Sequence, residues 1–284
     1  MGTSHRGVTR IEEYYTESRF DYRLLWALED SHGLHAGYHD GSDRSHAEAV
    51  EHMNRELAER AGIGPDDHVL DCGCGVGGSS VWLAAERGAT VTGVDLVPLQ
   101  LRAARNLAAE QGVEDRATFA RADFTDMPVP DDSVDVVWGI EAICHAEDKA
   151  EFVAEAARVL RPGGRLIVAD GFRAVESMTP DERESMRAWL DGWAVPNLAT
   201  LDGFGAELAD AGFTAVETAD ETEQVLPSSR RLYWASRLLR PFGRVARAVG
   251  LRSETQADNR RAARYQHETL TDGLWRYGIV SAKR

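Results

Sequence analysis

Lysine is nearly missing from this chain: Lys149 and Lys283 are the only two among 32 basic residues, which leaves 30 arginines. Cysteine is scarce as well, with three in 284 residues, two of them separated by one residue. That makes no disulfide framework and fits a reducing cytoplasm. No stretch approaches the roughly eighteen consecutive apolar residues of a membrane span. The opening run, Met1 to Val8, leads into charged residues with no apolar signal core behind it, so no export signal is expected. Excess positive charge is also lacking. A net charge of −15 argues against a polyanion as the main partner, because binding many phosphates needs a positive field. Internal repeats and low-complexity tracts are absent, and the length suits one large α/β domain or one with an appended lid.

The texture along the chain changes twice. Residues 11–28 and 45–61 have helical periodicity, the second with apolar positions at Ala47, Val50, Leu57 and Ala58. Between them lies a loop rich in glycine and histidine, Ser31 to Gly41. From Gly62 onward, short apolar strands at 68–70, 90–94, 117–122, 134–138 and 166–169 alternate with helical stretches at 79–86, 98–111 and 149–160. Alternation of this kind means βαβ units and a parallel sheet covered on both faces. The turn Arg161-Pro162-Gly163-Gly164 breaks the last of these helices before its strand. Beyond Phe172 the pattern loosens into helices at 180–193, 201–212, 228–240 and 256–270, an edge strand at 215–219 and a final strand at 275–282.

The strongest signal is His68-Val69-Leu70-Asp71-Cys72-Gly73-Cys74-Gly75-Val76-Gly77-Gly78, a strand entering a glycine loop that opens a helix. Glycines there let backbone approach a ligand where any Cβ would clash. Asp95 ends the next strand, 24 residues after Asp71, where a carboxylate can accept both hydroxyls of a ribose. A nucleoside-containing cofactor is expected. The run Gly73 to Gly78 also satisfies the dinucleotide pattern, so the glycines alone leave an oxidoreductase open.

The wider set of motifs resembles the class I S-adenosylmethionine-dependent methyltransferases. Asp71 precedes the first glycine as in that family's D/E-x-G-x-G-x-G loop, Asp95 closes the second strand, and Asp123-Phe124 closes the third. Asp132-Ser133-Val134-Asp135 leads into the fourth strand, and Arg158-Val159-Leu160-Arg161-Pro162-Gly163-Gly164 into the fifth. The likeness is close over about residues 60–175 and weaker in the flanks. It implies a Rossmann-like, doubly wound α/β fold. The sheet would be seven-stranded and mostly parallel, with helices on both faces, an N-terminal helical lid and a helical insertion. The expected organisation is a lid over 1–60, a cofactor-binding core over 61–175, and substrate-cap helices with the final strands over 176–284. The cofactor it implies is S-adenosyl-L-methionine, leaving as S-adenosyl-L-homocysteine. Asp71 and Gly73, with Gly75, would meet the methionine part, Asp95 and Gln100 the ribose, and Leu96, Asp123 and Phe124 the adenine.

Behind the fourth strand stands Ile140-Glu141-Ala142-Ile143-Cys144-His145-Ala146, which is similar to the sterol C-methyltransferase branch and its tocopherol, sugar and isoprenoid relatives. Tyr14-Tyr15 and Trp26, the loop at His35 to Tyr38 and the ending at 273–283 resemble the same group. Methylating an alkene leaves a carbocation that needs aromatic faces and a base. Glu141, with His145 four residues on, is therefore expected to act as base or cation stabiliser, against the simpler reading that it only anchors the site. Tyr15 is expected at the cofactor, and Tyr14, Trp26, His35 and Tyr38 at the substrate, with core packing as the plainer role for each tyrosine. His32, His35 and His39 lack Cys or carboxylate partners at ligand spacing, so no metal is expected. Cys72 and Cys74 read as small residues tolerated in the loop.

Carbon methylation of a small isoprenoid-like or otherwise hydrophobic acceptor is thus the favoured reading. N- or O-methylation of an amine, phenol or sugar comes next, and a non-catalytic cofactor-binding scaffold last. No nucleic-acid partner is expected, since the fourth strand lacks the Asn/Asp-Pro-Pro-Tyr segment used on DNA amino groups. A metal-assisted mechanism with a lysine base fits poorly with two lysines. Arg237, Arg240, Arg244 and Arg247 would share a helix face and suit a peripheral membrane surface or a diphosphate, although Pro241 interrupts that helix. High arginine and alanine point to a GC-rich bacterial genome and specialised metabolism.

Overall fold

The computed structural model describes residues 32–42, 44–238 and 254–284. Seven strands form one sheet: β1 (His68–Cys72), β2 (Thr90–Asp95), β3 (Ala117–Arg121), β4 (Val134–Ile140), β5 (Leu160–Arg173), β6 (Thr214–Asp220) and β7 (Trp275–Lys283). Their order across the sheet is β3-β2-β1-β4-β5-β7-β6. The first five run parallel, whereas β7 is antiparallel to both β5 and β6 and lies between them. The direction in which the connections run reverses beside β1, and ligands bind such sheets in the crevice outside the strand ends at that reversal.

Strand side chains alternate between two apolar layers, as a period of two requires. Val69, Val136, Ile167 and Ile279 face one layer, and their neighbours Leu70, Val137, Leu166 and Val280 face the other. The first layer is covered by α1 (His46–Arg60), α3 (Pro98–Glu110), α5 (Pro180–Leu190), α7 (Thr222–Leu238) and α8 (Glu254–Thr271); the second is covered by α4 (Lys149–Val159) and α6 (Leu201–Asp210). Between β1 and β2 runs α2 (Gly78–Trp82), which continues as one wide turn through Leu83–Arg87. Capping boxes start α1 and α5: Ser45 with Glu48, and Thr179 with Glu182.

Three boundaries differ from the sequence expectation. The helix expected from 228 begins six residues earlier, at Thr222, and carries Pro227 inside it. The helix expected to reach 193 ends at Leu190 and passes into a tight 3-10 turn, Asp191–Trp193. β5 starts at Leu160, before the Arg-Pro-Gly-Gly turn. Leu160 pairs with Val134 and Arg165 with Val136, so residues 161–164 bulge out, with Gly163 left-handed at φ 82°. The expected helix at 11–28 lies outside the described residues. Among the described residues no helix is long and apolar enough to cross a membrane.

Candidate active site

The loop between β1 and α2 turns only because glycine occupies its corners. Gly73 sits at φ 76°, and a Cβ there would fall 2.4 Å from the Ala142 Cβ. At Gly78 an added Cβ would meet the His32 carbonyl oxygen at 1.9 Å. The loop floors a cavity with about 800 Å3 of empty space, walled by Asp71, Asp95, Leu96, Gln100, Phe124 and Glu141, with Leu34 and His35 across the opening.

Three carboxylates line this cavity, Asp71, Asp95 and Glu141, and among the described residues no lysine or arginine does. Asp71 accepts from the Ser80 hydroxyl at 2.5 Å, and burial pushes its pKa up to about 7. Asp95 accepts from the Gly75 and Val97 amides at 3.0 and 2.8 Å; burial still lifts it to about 6. With its nitrogen turned toward Asp95, the Gln100 amide lies 3.2 Å from each carboxylate oxygen. Paired, desolvated anions of this kind suit a ligand that brings an ammonium and ribose hydroxyls. The donor set therefore fits S-adenosylmethionine.

Glu141 follows the last residue of β4 in the left-handed region, at φ 48°, a conformation side-chain-bearing residues rarely adopt. The Ala36 amide donates to its Oε1 at 2.7 Å. Burial raises the Glu141 pKa to about 7, with the nearby Asp170 charge adding to the effect. The Tyr277 hydroxyl faces it, close enough to act electrostatically but without good hydrogen-bond geometry. His145 closes the next 3-10 turn, Ile143–His145, and its Nδ1 lies 3.3 Å from the Ala194 carbonyl oxygen. Burial lowers its pKa to about 4, which keeps the imidazole neutral.

Glu141, His145 and Leu34 also line a second chamber, so they form the wall common to both. Its other walls are mostly apolar: Trp189, Trp193, Val195, Leu198, Leu232 and Trp275, with Ser229, Gln266 and Tyr277 among them. Lys149 ties this region together. Its ammonium is buried and donates to the carbonyls of Cys144, Ala146 and Asn197 and to Asn197 Oδ1, at 2.6–3.1 Å. One of the chain's two lysines thus holds the loop carrying His145 against the 191–199 connection.

Of the residues expected at the site, Asp71, Gly73, Gly75, Asp95, Leu96, Gln100, Phe124, Glu141 and His145 all line the first cavity. Three placements differ from expectation. His35 lines the cofactor cavity and not the second chamber, with its Nε2 3.5 Å from Ser79 Oγ. Tyr38 lines neither; its hydroxyl donates to Glu221 at 3.1 Å and its ring packs edge-on against His52, because the extended backbone turns it away from Glu141. Asp123 does not line the cavity either. Its Oδ1 accepts from the Thr125 amide and hydroxyl, which holds the side chain in a local turn. Tyr14, Tyr15 and Trp26 lie outside the described residues, as do Arg240, Arg244 and Arg247. Arg237 stacks on Tyr233 and Trp234 of its own helix. Asp170, Tyr277, the three tryptophans and Gln266 were not expected at the site. Only Asp170, an acid on the strand that follows α4, carried a signal that the strand-end rule could have used. Among the described residues no group of His, Cys, Asp and Glu could hold a metal ion.

Comparison with known proteins agrees with this geometry. The family described as "Methyltransferase domain" matches residues 70–168. Methyltransferase GfsG of Streptomyces halstedii is 35% identical over 237 residues, 81% of this chain and 82% of that protein. The 27-O-demethylrifamycin SV methyltransferase of Amycolatopsis mediterranei is 35% identical over 195 residues, 69% of this chain and 71% of that one. Among solved structures, the cyclopropane synthase MmaA2 from Mycobacterium tuberculosis shares the fold with a TM-score of 0.83 at 16% identity, over 98% of each chain. The chain belongs to the class I S-adenosylmethionine-dependent methyltransferases and is an enzyme of that class.

Proposed function

We propose that this methyltransferase transfers a methyl group to a hydroxyl oxygen of a small, largely apolar acceptor, with Glu141 receiving the hydroxyl proton. The observation that carries the reading is the place of Glu141: a buried carboxylate, held by the Ala36 amide, in the wall common to both cavities. S-adenosylmethionine supplies an electrophilic methyl on a sulfonium and leaves as the neutral thioether. Transfer of this kind is an in-line displacement, so the protein's part is to position, to exclude water and to hold a proton. Asp71 would hold the ammonium end, Asp95 with Gln100 the ribose, and Leu96 with Phe124 the adenine faces. A base with a pKa near 7 matches proton removal at neutral pH, and neutral His145 beside it orients the hydroxyl. The relative named for 27-O-demethylrifamycin SV supports oxygen as the methylated atom.

Carbon methylation of an isoprenoid-like acceptor is a second reading, favoured by one observation. The Trp189 and Trp275 rings lie 4.3 Å apart between centroids, with Trp193 6.2 Å from Trp189, an aromatic wall suited to a cationic carbon. Residues 1–60 and 176–284 would then act as lid and cap over the core at 61–175, in a cytoplasmic enzyme of specialised metabolism.

The test is incubation of the full chain with S-adenosylmethionine carrying a deuterated methyl and a panel of apolar hydroxylated acceptors, with the label located by NMR. An O-linked label that disappears in Glu141→Gln, at unchanged S-adenosylhomocysteine affinity, supports the proposal. A C-linked label moves the assignment to the second reading. Equal turnover in Glu141→Gln sinks the base.

A further inference from the structure

We propose that the acceptor carries, besides the atom that is methylated, a second oxygen that accepts a hydrogen bond from the side-chain amide of Gln266; this rests on the second chamber being the acceptor site. Gln266, on α8, lines that chamber and is only 9% exposed. Its neighbour across the helix pair is Ser229 of α7, whose hydroxyl donates to Gln266 Oε1 at 2.7 Å. Ser229 Oγ also lies 3.0 Å from His267 Nδ1. A hydroxyl has one proton to give. With that proton on Gln266, the contact to His267 is satisfied when Nδ1–H donates to Ser229. In this arrangement the amide oxygen is the end engaged by Ser229, and the nitrogen is turned the other way. The oxygen is occupied, and the nitrogen has no partner among the described residues.

An amide N–H2 that faces a mostly apolar chamber is a donor that a bound molecule can satisfy. The rest of the helix is firmly placed: the Trp275 indole N–H reaches the Gln266 carbonyl and Thr269 Oγ, each at 3.1 Å. Trp189, Val195 and Leu232 in the same lining carry no acceptor for it. Glu141 and His145 enter the chamber from the β4 side and Gln266 from α8, so the two polar groups hold different parts of the acceptor. The geometry selects an oxygenated apolar molecule, such as a ketone, ester or ether that also bears a hydroxyl, over one whose remainder is plain hydrocarbon.

The probes are 4-alkylphenols and the matching 4-(oxoalkyl)phenols with the ketone walked along the chain. Their binding to the full chain with S-adenosylhomocysteine is followed by quenching of tryptophan fluorescence. One oxo isomer is expected to bind about tenfold tighter than its alkyl counterpart, the usual weight of one buried hydrogen bond. Gln266→Leu should abolish that preference, and Ser229→Ala, which frees the amide to turn, should reduce it. The S-adenosylhomocysteine melting shift reports that both variants fold. Equal binding of the two series, binding of neither, or a preference that survives Gln266→Leu overturns the proposal. Oxo-selective binding without methyl transfer in the presence of S-adenosylmethionine would leave it standing and count against oxygen methylation alone.

Discussion

The cofactor cavity takes most of its lining from a short stretch of chain, Asp71 to His145, and much of that lining is backbone and glycine. The chamber beside it is gathered from Leu34 to Tyr277, out of α5, α7, α8 and β7, and its surface is side chain. The first kind of wall is set by φ angles and tolerates almost no added atom. The second is set by which indoles, carboxamides and aliphatic groups happen to project, and can be repacked without disturbing the sheet. Under the proposed function, backbone-set geometry serves the cofactor and side-chain chemistry serves the acceptor.

The sharpest way to test this division is at the wall the two share. Glu141→Gln is expected to lower turnover by about 10²–10⁴-fold while S-adenosylhomocysteine affinity stays within about threefold. The same group sets a pH dependence. The carboxylate must be deprotonated to accept a proton, so kcat/KM should rise about tenfold per pH unit up to about 7 and then level off. Loss of that limb in the glutamine variant is the accompanying measurement.

Gly73→Ala adds one methyl to the backbone-built side. It forces a side chain into φ 76° and onto Ala142, so a loss of about 2–4 kcal/mol and of the S-adenosylhomocysteine melting shift is expected. An unperturbed melting curve would break the comparison. Lys149→Met probes the link between the halves by leaving four oxygens, on Cys144, Ala146 and Asn197, without their donor. A loss of about 2–3 kcal/mol in denaturant unfolding is expected, together with a raised acceptor KM and unchanged cofactor affinity. The smallest effect belongs to Tyr38→Phe. Removing its bond to Glu221 should cost about 1 kcal/mol in urea titration and leave acceptor KM unaltered, since the ring lines neither cavity.

The same contrast explains what was legible beforehand. Strand positions in β1, β2 and β4 alternate or run continuously apolar, and glycine spacing marks the loop, so the sheet and the cofactor cavity could be read from order alone. Trp189, Gln266 and Trp275 lie on three separate elements, each with a pattern indistinguishable from ordinary core. Only packing of α5, α8 and β7 makes them neighbours. Tyr38 misled because it stands three residues from His35, yet the extended loop turns the two side chains apart. Pro227 hid the true start of α7, since proline in a helical pattern reads as a boundary.

β7 is an interior strand that arrives after both of its neighbours. Without residues 275–283, β5 is paired with β4 on one side and has an open edge on the other, and β6 has no strand to pair with. Tyr277 and Trp275 travel on that strand, so the second chamber gains part of its wall in the same event that fills the gap between β5 and β6. A chain without β7 would expose a bare edge on β5, the kind of edge that invites pairing with another chain.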